Sequence, residues 1–295
     1  MRSRLSTLAL VVSLGAFPVL GAPQEPAATP VPQATLPGSG GAGDLLVAPT
    51  RVVLEGSKRS AELTLLNVGT KAATYRISFL EMEMTPEGEL KELATPPPEK
   101  KLSSKLIRYA PREVLLEPGV SQTIRLQVRK PAELAAGEYR SHLLLRAVPP
   151  AEEPQPEGAG EGEERTFQIR LIPIFGVTIP IIVRHGSVAA EASLSGLEVT
   201  EGVEGSAAAR LTIGRKGNAS LYGNLTVRYT PPGGKETIVG ELNGVGVYAE
   251  MPERRLAIPL RPPPGVTLGA GTLRAVYREA EEDGKLLAET TRDLR

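Results

Sequence analysis

The chain has 295 residues, which is enough for two domains of ordinary size. Its 34 lysines and arginines equal its 34 aspartates and glutamates, so the charge balance does not indicate a nucleic-acid or anionic-membrane partner. The lack of cysteine excludes disulfides and cysteine metal sites, so apolar burial must stabilise the fold. Glycine (31) and proline (27) are abundant while aromatic residues make up only 4 %, which favours an all-β chain with many turns.

The first 22 residues are typical of a secretory signal peptide. Arg2 and Arg4 give a positive start, an apolar run continues to Leu20, and the small residues Gly21 and Ala22 offer a cleavage site. An uncleaved membrane anchor is the alternative, although the run is short for a spanning helix. No later segment has the apolar length of a membrane span, so we expect the mature protein to reside outside the cytoplasm.

Two β-rich domains are predicted after the signal peptide. Residues 23–43 are rich in proline, alanine and glycine and are expected to form a flexible linker, because they cannot bury enough apolar surface to offset the entropy of ordering. About seven strands, separated by turn residues, follow over residues 44–185, which is typical of an immunoglobulin-like sandwich. Within this domain, residues 149–166 form a solvated loop rich in proline, glycine and glutamate. A second β series predicts another such domain over residues 186–295.

The long strand over residues 167–183 is the element on which the functional prediction depends. Its odd-numbered side chains would form one apolar face, because successive side chains in a strand alternate between faces. Pro173 and Pro180 lack an N–H group, which places this strand at a sheet edge. The two prolines have opposite parity, so we predict a one-residue bulge at Gly176 that turns both toward the open side. The apolar face would contain Phe167, Ile169, Leu171, Phe175, Val177, Ile179, Ile181 and Val183.

An apolar strand edge that stays open promotes aggregation, so this edge needs a cover. A loop of the same chain or a second copy of the chain is one explanation. Pairing with a strand of a different protein is the other explanation. The sequence of this strand does not distinguish between the two explanations.

Several short motifs follow one another in a definite order along the first domain. Pro49-Thr50-Arg51 leads into an early turn, and Leu116-Glu117-Pro118-Gly119 precedes the alternating strand at residues 123–126. The segment 143–150 ends in a double proline before the loop and the long strand. This ordered set, after a signal peptide, resembles the PapD-like periplasmic chaperones of pilus assembly over residues 45–185, whereas the second domain is similar to them only in length and strand content.

The resemblance implies two Ig-like β-sandwich domains in a boomerang arrangement, without enzymatic activity and without a cofactor. In this family the long strand pairs with a pilin subunit that lacks its last strand, and the complex is delivered to an outer-membrane usher. Pilin-like secreted subunits and an usher are therefore the expected partners, and the periplasm is the expected location. The donor row that contacts the subunit would consist of Ile169, Leu171, Pro173 and Phe175.

The resemblance also assigns Arg51 to the cleft arginine that binds the C-terminal carboxylate of the subunit. An ordinary surface charge is the alternative for this residue. In the family a lysine on the long strand assists the arginine, but this chain has Pro180 at that position. Arg170 and Arg184 are the candidates to supply the second positive charge.

Nothing else in the sequence indicates a catalytic or metal site. His142 and His185 are the only histidines, and they are far apart and without cysteine neighbours. Neither a nucleophile elbow nor a phosphate-binding loop is present. The alternative to a chaperone is a secreted structural or adhesion protein built of two immunoglobulin-like modules. An extracellular hydrolase is a more distant third possibility.

Overall fold

A computed structural model describes residues 44–149, 174–202 and 206–295. The predicted signal peptide (residues 1–22), the linker (23–43), most of the loop at 149–166 and the first half of the long strand lie outside the described residues. Among the described residues, no helix is long and apolar enough to cross a membrane.

Strands dominate the described part of the chain, and one 3₁₀ turn (Ser103–Lys105) interrupts them. The strands of the first half are β1 (Leu45–Ala48), β2 (Val52–Leu54), β3 (Ser60–Asn67), β4 (Ala73–Leu80), β5 (Met82–Met84), β6 (Leu90–Glu92), β7 (Ile107–Ala110), β8 (Glu113–Leu116), β9 (Ser121–Val128), β10 (Gly137–Val148) and β11 (Gly176–His185). Those of the second half are β12 (Ala190–Glu201), β13 (Ala207–Gly217), β14 (Leu221–Thr230), β15 (Thr237–Val247), β16 (Glu253–Pro259), β17 (Gly271–Glu279) and β18 (Leu286–Leu294).

The first sandwich packs a four-stranded sheet against a five-stranded sheet. The strand orders are β1-β3-β9-β7 and β2-β11-β10-β4-β8. Strand β9 shows why these residues form a sandwich: Ile124 and Leu126 are fully buried, whereas Arg125 and Gln127 face solvent, as the period of a strand requires. This alternation confirms the prediction made for the segment.

The chain changes sheets between β1 and β2. β1 pairs with β3 in the four-stranded sheet, whereas β2 pairs in parallel with the end of β11 in the opposite sheet. Pro49, which lies between the two strands, cannot donate a ladder hydrogen bond, so pairing is interrupted there. Arg51 immediately precedes β2 and is therefore delivered to the end of the sandwich where β11 runs toward the second domain.

The second sandwich is formed by the sheets β12-β13-β16 and β15-β14-β17-β18. Its core includes Leu225, Val227 and Tyr229 of β14, while the residues between them face outward. Residues 280–285, which include Asp283-Gly284, connect β17 to β18, and Asp283 adopts a positive φ of 57° in this turn. The fold class is thus all-β with two sandwiches, as predicted.

A small hairpin that the sequence analysis did not anticipate links the two sandwiches. It consists of β5 and β6, and its turn reaches β16: the amide of Arg255 donates to the carbonyl of Pro86 over 2.7 Å. Met84 of the hairpin packs with Ile182 of β11 and Tyr248 of the second sandwich in a buried apolar cluster. The hairpin therefore covers part of the outer face of β11 and connects the two halves of the chain.

Candidate functional site

Strand β11 has one paired edge and one largely open edge. Along its inner edge it pairs with β10 without interruption, from Gly176 opposite Arg146 to His185 opposite Gly137. Along its outer edge, β2 covers only residues 181–183. Within the described part of the chain, residues 176–180 therefore have no strand on their outer side, as the prediction of an edge strand requires.

The direction of the backbone groups on β11 follows from one hydrogen bond. The amide of Ala147 donates to the carbonyl of Phe175 over 2.9 Å, so Phe175 faces β10. Because backbone groups in an antiparallel pair alternate in direction, those of Gly176, Thr178 and Pro180 point to the outer edge. The N–H that Pro180 lacks would have pointed away from β10, so the proline removes no bond from the sheet.

The predicted bulge at Gly176 is wrong. The register between β10 and β11 is constant from residue 176 to residue 185, so no extra residue is inserted there. Gly176 is explained instead by a close neighbour, because a Cβ at this position would lie 3.1 Å from Cδ1 of Leu144. The parity argument assumed that Pro173 belongs to the same regular ladder, and that residue lies outside the described residues.

The apolar face of β11 extends beyond the core of its own sandwich. Ile179, Ile181 and Val183 are buried in the core, whereas Val177 and Phe175 on the same face are 36 % and 50 % exposed. An apolar row thus emerges from the sandwich next to the open edge. The other predicted donor residues, Ile169, Leu171 and Pro173, lie outside the described residues and remain predictions.

Arg51 lies in the cleft between the two sandwiches. Its Nη2 donates to Oγ of Ser220 over 3.0 Å, and its Cζ lies 4.4 Å from the ring centroid of Tyr222. No carboxylate of the described residues lies within ion-pair distance of its guanidinium, and burial lowers the pKa of Arg51. Arg51 is therefore not a free surface charge, and its environment is suited to an incoming anion.

Arg184 lies in the same cleft but already has carboxylate partners. Its Nε donates to Oε2 of Glu138 over 3.0 Å, and its Nη1 contacts Oε2 of Glu55 at 3.1 Å. The same oxygen of Glu138 accepts hydrogen bonds from the amide and the hydroxyl of Ser220, each over 3.0 Å. Arg184 therefore joins the two sandwiches, and its charge is largely compensated. Arg170, the other candidate cation, lies outside the described residues.

A cleft of about 590 Å³ opens beside these residues. Its walls come from the end of β2, from β11 and from the start of β14, and they include both charged and apolar side chains. Among the lining residues are Arg51, Val53, Arg184, Ser220, Leu221 and Tyr222. The guanidinium of Arg51 therefore lies on the wall of the cleft.

The outer face of β10 contains buried polar residues that contact the second sandwich and that were not predicted from the sequence. Arg140 is buried, forms an ion pair with Glu250, and its Cζ lies 3.7 Å from the ring centroid of Tyr248. His142 is fully buried beside Arg140. Charged residues at every second position of a strand usually face solvent. The sequence pattern therefore did not indicate that the second sandwich covers Arg140 and His142.

We expect His142 to make stability depend on pH. Burial lowers the pKa of His142 to about 3, and the nearby charges of Arg140, Lys100 and Arg51 act in the same direction. In the unfolded chain His142 binds a proton at the ordinary histidine pKa of about 6.5. The stabilising contribution of neutral His142 is therefore fully present above that pH and decreases as the pH falls toward 3. Between pH 7 and pH 5 the free energy of unfolding should fall by about 2 kcal/mol.

Urea unfolding at several pH values measures this dependence. The His142→Leu variant should lose the histidine contribution, whereas His185→Gln should keep it. Equal pH slopes for the wild type and His142→Leu would show that His142 does not cause the effect.

No group of three metal-ligating side chains that could hold an ion occurs among residues 44–149, 174–202 and 206–295.

No protein-family model and no curated protein matches the chain. Solved structures that are similar include the YadV chaperone, with 13 % identity and a TM-score of 0.43 over 85 % of this chain and 100 % of that one. The Pseudomonas aeruginosa CupB2 chaperone has 15 % identity and a TM-score of 0.40 over 84 % and 98 %. The E. coli chaperone DraB has 13 % identity and a TM-score of 0.42 over 85 % and 96 %.

Proposed function

We propose that the protein is a non-enzymatic periplasmic chaperone that binds pilus or fimbrial subunits through the open edge of β11 and delivers them to an outer-membrane usher. The observation that carries this proposal is the combination of a free strand edge with an apolar row that emerges beside it. Main-chain groups at residues 176–180 can pair with a foreign strand, and exposed apolar side chains can fill its pockets.

The geometry favours one direction for the added strand. β2 runs parallel to β11 and occupies the outer edge at residues 181–183, so a strand added at residues 174–180 would lie end to end with β2. Arg51 directly precedes β2. A strand that runs parallel to β11 would therefore end at Arg51, and its C-terminal carboxylate would meet the guanidinium there.

Magnitudes indicate which contact dominates this binding. Three or four apolar side chains of the donor row (Ile169, Leu171, Pro173 and Phe175) would contribute about 1.5–3 kcal/mol each when buried. A charge-assisted bond to one carboxylate contributes about 1.5–3 kcal/mol in total. The apolar row thus supplies most of the affinity, and Arg51 mainly sets the register of the added strand. Pro180 in place of a lysine weakens the anchor without removing the main interaction.

Co-expression with secreted subunits encoded nearby tests the proposal. The chain should co-purify with one of them, and Leu171→Glu should abolish the complex while the thermal unfolding of the variant stays unchanged. Leu115→Glu is the control, because Leu115 is 64 % exposed on β8 at the opposite edge of the same sheet. If Leu171→Glu binds normally, the donor role is wrong. A stable homodimer without any client would favour the structural or adhesion protein instead.

A further inference from the structure

We propose that Tyr222 is a positioning residue that holds the guanidinium of Arg51 in place for the carboxylate of a bound subunit. This inference rests on the proposed function and adds a role for the second sandwich in it. Arg51 belongs to the first sandwich, yet Ser220 and Tyr222, which contact its guanidinium, belong to the second.

The contact with Tyr222 restricts how the guanidinium can rotate. At 4.4 Å from the ring centroid, Cζ of Arg51 is well within the range of a cation–π interaction. A ring at this distance limits the orientations that the guanidinium can adopt. Among the described residues, one of its five donors forms a hydrogen bond, to Ser220, so the others can serve an acceptor in the cleft. A carboxylate matches two of these donors at once.

Tyr222 is itself held firmly. It lies on β14 opposite Gly246 of β15, within a paired region of the sheet. Its hydroxyl approaches Gly244, where a Cβ would lie 3.0 Å from the oxygen, and Gly244 has a positive φ of 68°. Because glycine has no side chain, Gly244 leaves space for the hydroxyl of Tyr222. The ring therefore acts as a fixed platform rather than as a mobile surface group.

Ser220 connects this platform to the charge network between the sandwiches. Its hydroxyl accepts from Arg51 and donates to Glu138, so Arg51 is linked to that carboxylate through one hydroxyl rather than by an ion pair. The positive charge of Arg51 is thus placed but not neutralised within the described residues. Without the ring, the guanidinium would keep the hydrogen bond to Ser220 but lose the cation–π contact.

A pair of synthetic peptides can test this role. Each has nine residues of alternating valine and threonine, and the two differ only in a C-terminal carboxylate or amide. The wild type should bind the carboxylate form about tenfold or more tightly than the amide form. Arg51→Ala should lose this preference, and Tyr222→Phe should keep it, because phenylalanine retains the ring face. Tyr222→Ala and Tyr222→Leu should reduce the preference to below about threefold, although leucine keeps apolar bulk.

The results separate the two levels of the proposal. If the wild type prefers the carboxylate and the Tyr222→Leu and Tyr222→Ala variants do so equally, the role of Tyr222 is overturned while the strand-binding function stands. If the wild type binds both peptides equally, the carboxylate anchor at Arg51 is wrong, and the role of Tyr222 falls with it. If neither peptide binds, the strand-binding function itself is contradicted. Melting curves of the variants identify any loss caused by unfolding, and Tyr222→Phe serves as the folded reference.

Discussion

Replacement of Glu138 by alanine is expected to lower the free energy of unfolding by about 3–5 kcal/mol. Glu138 is buried, and its Oε2 accepts from Arg184 and twice from Ser220, so one carboxylate serves both sandwiches. Its removal leaves Nε of Arg184 and the buried amide of Ser220 without their shared acceptor, although Nη1 of Arg184 keeps Glu55. The loss is large because these donors remain in the interface between the sandwiches without a replacement acceptor.

Urea unfolding of Glu138→Ala and Glu113→Ala gives the comparison. Glu113 forms an ion pair with Arg76 at 3.0 Å, but both side chains are more than half exposed. Solvent screening limits such a pair to about 0–1 kcal/mol. If both variants lose the same small amount of stability, Glu138 does not hold the two sandwiches together.

Phe175→Glu should weaken binding of a subunit by about tenfold to a hundredfold, with little effect on the fold. Of the predicted donor row, Phe175 is the member that lies within the described residues. Burial of a phenylalanine contributes about 1.5–3 kcal/mol. A glutamate would also place a charge in an apolar pocket of the subunit. Because the side chain is half exposed in the free protein, the unfolding midpoint should hardly change.

The matched control for Phe175 is Ile238→Glu. Ile238 is 42 % exposed and lies on β15, an edge strand of the second sandwich. Titration calorimetry with a purified subunit compares the two variants with the wild type. An affinity loss of similar size in both variants would mean that binding is not specific to the edge of β11.

The positions of strands along the chain could be predicted because they depend on local alternation. Over residues 124–128 of β9 and 225–229 of β14 every second residue is apolar, and the structure buries those residues. The open edge was also predictable, because Pro180 marks a position at which a strand has no need to donate. The exposure of Phe175 agrees with its predicted place in the donor row, while its contact with a subunit stays a proposal.

The contacts between the sandwiches could not be predicted from the sequence. On β10, Glu138, Arg140 and His142 occupy every second position, and a polar set of this kind on one face normally marks a solvent-facing side. These groups are buried because the second sandwich and the β5–β6 hairpin pack against β10. The residues that form these contacts are far apart in the sequence, so local patterns do not predict them. The bulge at Gly176 was predicted wrongly because the parity rule assumed that Pro173 and Pro180 belong to one regular ladder, whereas the register is constant from Gly176 to His185.

Amide hydrogen exchange along β11 tests the central claim most directly. In the free protein the outward N–H groups of Gly176 and Thr178 should exchange rapidly, whereas that of Val177, which faces β10, should be protected. When a subunit binds, Gly176 and Thr178 should become at least about tenfold more protected, with Val177 nearly unchanged. A complex that forms while Gly176 and Thr178 keep exchanging at the rate of the free protein would contradict strand addition at this edge.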